Sequence, residues 1–197
     1  MTTTVDWPQL TLLTLRDPKA AAAEIMSWQL PRDALWMAAI VVAIAGTIMS
    51  TLTNFVMPLP EPFTDLFPNP IMLFLAMAGG FVLTVNVLFW TGRAIGGSGD
   101  LNDLLALLVW MQALRATAQL LILICVLVTP FLTGFLVLLV GIATIWVFLN
   151  FLSVGLQLNS LLKAVLVVFA AALALSLGVS LLLSMIGVSA IGVPANV

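Results

Sequence analysis

One cation stands where a charge is costly. Arg115 lies near the middle of the apolar run Leu101–Val128, and an arginine at the centre of a membrane helix costs at least ~2.5 kcal/mol. Gln112, Arg115 and Gln119 follow i, i+3, i+7 spacing, so they share one helical face as a polar stripe expected to point inward. No apolar run holds an Asp or Glu at that depth, so the chain offers no internal salt bridge. Three chemistries fit. The arginine stitches helices together, its donors taken by Thr47, Ser50, the backbone at Gly79 and Gly80, and Ser176. Alternatively it meets a lipid phosphate or a partner's carboxylate, or it lines a water-filled cavity that serves an anionic solute.

The second candidate is the glycine-rich hairpin Gly92-Arg93-Ala94-Ile95-Gly96-Gly97-Ser98-Gly99, closed by Asp100. It is neither GxGxxG after a strand nor GxxxxGK[ST], so a phosphate cradle is not expected. A turn needing permissive φ angles accounts for it. Asp100 is placed to cap the following helix, with Asn102 and Asp103 in its wet first turn. Gly92, Arg93, Gly96, Gly97, Gly99 and Asp100 are candidate partner contacts.

Other chemistry is thin. Histidine, the commonest general base and metal ligand, is absent. The single cysteine, Cys125, lies in an apolar run and reads as a small buried hydrophobe. Proton-coupled transport lacks an intramembrane carboxylate relay. No catalytic, cofactor-binding or metal-ligating residue is assigned, and no enzyme and no cofactor are expected. The net charge of -2 argues for no nucleic-acid partner.

The elements that hold these residues follow from composition. The 197 residues are 63% hydrophobic and 7% charged, with mean hydropathy +1.26, whereas a soluble domain carries about 25% charged residues. The solvent must be lipid. The reading is an all-α integral membrane protein, a bundle of five transmembrane helices with short amphipathic interfacial helices before it. Residues 1–33 form the cytoplasmic or interfacial segment, residues 34–187 the membrane domain and 188–197 a short non-cytoplasmic tail. Spans are expected at 34–56, 70–90, 101–128, 131–152 and 161–186, each near the ~20 residues a crossing needs. The third is the longest, hence tilted or partly outside the hydrocarbon. No cleavable signal peptide is expected, because no basic cluster precedes an early apolar core.

In the first segment Trp7, Leu10, Leu13 and Leu15 form a loose apolar stripe. Asp17 then caps a helix begun by Pro18, in which Ala21, Ile25 and Trp28 lie opposite Glu24. Both helices are read as lying on the membrane surface or against the bundle. Arg16, Lys19, Arg32, Arg93 and Lys163 fall on one side, which places the amino terminus in the cytoplasm and the carboxyl terminus outside. The six tryptophans agree, and Phe55, Phe63, Phe67, Phe131 and Phe135 mark the other side. Small residues expected to pack helices are Gly79 and Gly80 in the second span and Ser176, Ser180 and Ser184 in the fifth.

At GRAIGGSGDLNDLLALLVW the chain resembles the Yip-domain family, multi-pass proteins named for binding Ypt/Rab-type small GTPases in eukaryotes. Leu15-Arg16-Asp17-Pro18 with its alanine-rich helix, and Leu162-Lys163-Ala164, resemble the family's first segment and fifth helix. The resemblance runs from about residue 10 to about residue 185 and implies the five-span order. Two departures matter. The chain has no tyrosine, so it lacks signatures such as Asp-Leu-Tyr-Gly-Pro, and it lacks the long amino-terminal domain of eukaryotic members. GTPase binding is therefore not carried over, and the short form is similar to prokaryotic members, which implies a bacterial inner membrane. The expected function is a membrane organising or protein-interaction component, in contact with the bilayer and with another membrane protein or a second copy. The alternative is a small-solute transporter or permease subunit that uses the Arg115 stripe.

Overall fold

Sequence signals at the helix ends explain most of the architecture. In the computed structural model, which describes residues 6–56 and 69–185 (side chains of 182, 183 and 185 excepted), every regular element is an α-helix. They are α1 (Trp7–Arg16), α2 (Pro18–Ser27), α3 (Arg32–Val56), α4 (Pro70–Ala94), α5 (Leu101–Val128), α6 (Pro130–Gly155) and α7 (Leu161–Met185). The Asp17 carboxylate accepts from the N–H groups of Lys19 and Ala20, both at 3.1 Å, with Pro18 at the first helical position. Asn69 caps α4 in the same way, accepting from Met72 N–H at 2.8 Å. Thr129 alone separates α5 from α6, with Pro130 starting the new helix where its missing N–H costs nothing. The loop expected at 57–69, with Phe63 and Phe67, lies outside the described residues apart from Asn69, and so does the tail.

Helices α3 to α7 are each long and apolar enough to cross a membrane. Their contacts close a ring: α5 packs on α3 and α6, α3 on α4, α4 on α7, and α7 on α6. Helices α1 and α2 pack on each other, and α2 lies against α5 and α6. This places Arg16, Lys19, Arg32, Arg93 and Lys163 at one end of the bundle, here called the hairpin end.

The core is concentrated there. All seven residues from Leu104 to Trp110 are buried, so α5 is covered on every side over this stretch. Val85 and Leu88 of α4, Phe151 and Leu152 of α6, and Ala164 and Val167 of α7 share one buried cluster with this stretch, as do Ala21, Ala22 and Ile25 of α2. Burial thins toward the opposite end, where Phe55 is 91% and Phe131 96% exposed, as suits side chains facing hydrocarbon.

This lopsided core corrects the expected packing residues. Gly79 and Gly80 are exposed, and a methyl group at either would meet nothing within 4 Å. Ser176, Ser180 and Ser184 are exposed as well. All five lie where burial has thinned, so within one chain no neighbouring helix closes on them. Helix α7 instead buries Ala164, Val167 and Ala171. Helix α3 does use its small face, burying Ala39, Gly46 and Thr47, with the Thr47 hydroxyl 3.6 Å from Met77 Sδ on α4. Leu15, assigned to the apolar stripe of α1, is exposed, whereas Leu10 and Thr14 are buried.

Candidate functional site

The glycine hairpin is built from a helix ending. At the end of α4, Gly97 N–H donates to Gly92 O at 2.8 Å and Gly96 N–H to Arg93 O at 3.1 Å. This is the Schellman pattern, which needs a left-handed residue after the cap, and Gly96 supplies it at φ 95°. Helix α6 ends the same way. Leu158 N–H donates to Ser153 O and Gln157 N–H to Val154 O, both at 3.0 Å, with Gln157 itself left-handed at φ 52°.

These two endings dock on each other. The N–H groups of Ser98 and Gly99 both donate to Leu156 O, at 3.1 and 3.2 Å, satisfying a carbonyl that the end of α6 would otherwise orphan. The Ser98 hydroxyl also donates to Gln157 Oε1 at 2.9 Å. The remaining glycines permit this approach. A Cβ on Gly97 would lie 2.8 Å from Leu156 O, and one on Gly99 would overlap the Gly155 carbonyl. Only Gly96 among the hairpin glycines has positive φ, so close approach, more than turn geometry, explains the composition. Ile95 N–H donates to Thr91 O and Leu101 N–H to the Asp100 carboxylate, so the N–H groups of residues 95–99 and 101 are all engaged. Arg93 and Asp100 stay exposed, the Arg93 guanidinium 5.7 Å from the centre of the Phe89 ring.

A tryptophan cluster secures α1 and α2 to this end. The Trp110 ring stacks on Trp7, centroids 5.1 Å apart, and meets Trp28 edge-on at 6.3 Å. Its indole N–H donates to Thr14 Oγ1 at 3.1 Å, and the Thr14 hydroxyl donates to Leu10 O at 2.8 Å. The sequence marks Trp7 and Trp28 as membrane anchors; the fold also uses them as bundle contacts. Thr14 and the loop 156–159 were missed, although Gln157 and Asn159 beside Gly155 form a polar, glycine-led break like that of the first hairpin.

Gln112, Arg115 and Gln119 line one crevice between α3, α4 and α5 with Ala39, Gly46 and Met77. Its volume is about 20 Å³, little more than one water needs. Gln119 Nε2 donates to Thr53 Oγ1 on α3 at 3.3 Å. Arg115 is exposed, and among the described residues its guanidinium has no hydrogen-bond or ionic partner. Three of its expected partners bond within their own helices instead. Thr47 donates to Ala43 O, Gly80 O accepts from Thr84, and Ser176 donates to Leu173 O. The stripe therefore shares a crevice, but nothing there saturates the arginine.

The model of the Yip1 domain family matches residues 12–183. No curated protein matches the chain, and no solved structure does.

Proposed function

The chain belongs to the Yip1 domain family, and from that membership we propose a multi-pass membrane protein that organises or binds other membrane components without catalysis. The observation that carries this reading is the joined pair of loops at the hairpin end. Hairpin and α6–α7 loop hold each other through Leu156 O and the Ser98–Gln157 bond, with Arg93, Asp100, Gln157 and Asn159 exposed around them. A surface already fixed in shape loses little conformational freedom on binding. Its partner is a second copy or another membrane protein.

The gathering of five of the six basic residues at this end supports a cytoplasmic amino terminus and an external carboxyl terminus, in a bacterial inner membrane. A transporter reading has less support, because the crevice holding Gln112, Arg115 and Gln119 is about 20 Å³.

Affinity purification of the full chain in mild detergent, followed by mass spectrometry, tests the proposal. A stoichiometric protein companion or a defined oligomer is expected. A chain that purifies alone and is stabilised by a small anionic solute would instead favour transport.

A further inference from the structure

Arg115 also borders a larger crevice, about 210 Å³, between α1, α5 and α6. It runs along α5 from Met111 to Leu121, a length of about 15 Å at 1.5 Å per residue. Thr11 and Leu15 of α1 and Val140 and Thr144 of α6 line its other walls. Arg115 sits toward the α1 end, and Leu121 and Val140 line the far, apolar end.

Two hydroxyls in this crevice are spare. Each of the other described threonines donates to the carbonyl four residues earlier, as in Thr14 to Leu10, Thr91 to Val87, Thr117 to Ala113 and Thr133 to Thr129. Thr11 and Thr144 make no hydrogen bond among the described residues, and both line the crevice with Arg115. Arg115 and the two threonines with unpaired hydroxyls thus line one mainly apolar slot.

We propose that this crevice binds one anionic glycerophospholipid, its phosphate on Arg115, Thr11 and Thr144 and an acyl chain along Leu121 and Val140. Guanidinium pairs with phosphate through two parallel N–H···O bonds. No carboxylate of the chain lies in a membrane helix beyond the first turn, so the counter-charge must come from outside the chain. A zwitterionic headgroup brings its own cation and leaves the arginine uncompensated, which selects a net-anionic lipid. Polarity along the slot agrees. Trp7 and Trp28, on the two helices that flank the bundle, are the rings suited to the interface; both meet Trp110, and although Arg115 is mid-run in sequence it lies only five positions beyond that contact, roughly 7.5 Å along the axis, within reach of a side chain that can rise toward the headgroups. The hydrocarbon end then points toward mid-bilayer.

The inference stands apart from the partner surface at the hairpin, and its test does not involve that surface. The full chain in mild detergent is melted with dioleoyl phosphatidylglycerol, dioleoyl phosphatidylcholine or inorganic phosphate. Phosphatidylglycerol at saturation is expected to raise the melting temperature by about 5 °C or more, with little effect from the other two. Arg115→Leu and, independently, Ala143→Phe, which fills the slot and keeps the arginine, should each abolish the shift; if Arg115→Leu fails to fold, Ala143→Phe decides. Equal stabilisation by phosphatidylcholine or by inorganic phosphate overturns the proposal, as does a shift that survives Ala143→Phe or no shift at all.

Discussion

Gly99 rests on the carbonyl of Gly155, so close that a methyl group at position 99 would overlap that oxygen and press on Leu156 Cα. The obstacle is backbone and cannot rotate away. Gly99→Ala should therefore separate the two loops, at a cost of about 3 kcal/mol, read as a fall of roughly 10 °C in the melting temperature. Wild-type stability in Gly99→Ala would show that the loops are not joined as described.

The glycines away from this contact should behave differently. Gly96 has open space around it but φ 95°, so Gly96→Ala meets only backbone strain, about 1–2 kcal/mol. Gly80 lies mid-helix with nothing near it, and Gly80→Ala should be neutral or stabilising by up to ~1 kcal/mol. The expected order of melting temperatures is Gly80→Ala, Gly96→Ala, then Gly99→Ala.

Burial of the Trp110 indole N–H depends on Thr14. Thr14→Val keeps the shape and removes the acceptor, leaving a buried donor unpaired at about 1–3 kcal/mol. Trp110→Phe removes that donor along with ring area, so Thr14→Val should cost much less in its background. A double-mutant cycle on denaturation in detergent measures this coupling, and strict additivity would contradict the bond.

The cap of α2 is a separate contribution. Asp17 accepts from two backbone N–H groups, so Asp17→Ala should lower stability by about 1 kcal/mol and Asp17→Asn by less. Thermal melts of the two variants provide the comparison.

These cases show what was legible before the fold. Helix boundaries were, because Asp17-Pro18, Asn69-Pro70 and Thr129-Pro130 act locally and carry their geometry in residue type. The apolar runs likewise gave all five membrane-length helices. Which residues touch was not legible. Gly79, Gly80 and the serines of α7 have the composition of packing residues, but the core is concentrated at the other end of the helices, a property of the whole ring. The hairpin glycines were recognised as a turn, whereas their second role depends on Leu156 O, contributed by a loop distant in sequence. Spacing put Gln112, Arg115 and Gln119 on one face, and they line one crevice, yet the Thr47 and Ser176 hydroxyls assigned to the arginine donate to carbonyls of their own helices.

The central claim, a partner-binding surface at the hairpin end, is tested most directly by photo-crosslinking in cells. A photoreactive residue replaces the exposed Arg93 in the hairpin or, as a control, the exposed Asn69 at the opposite end. A protein adduct of one defined mass is expected from position 93, identified as a second copy or a single membrane partner, and none from position 69. No protein adduct from position 93, or the same adducts from both positions, would contradict it.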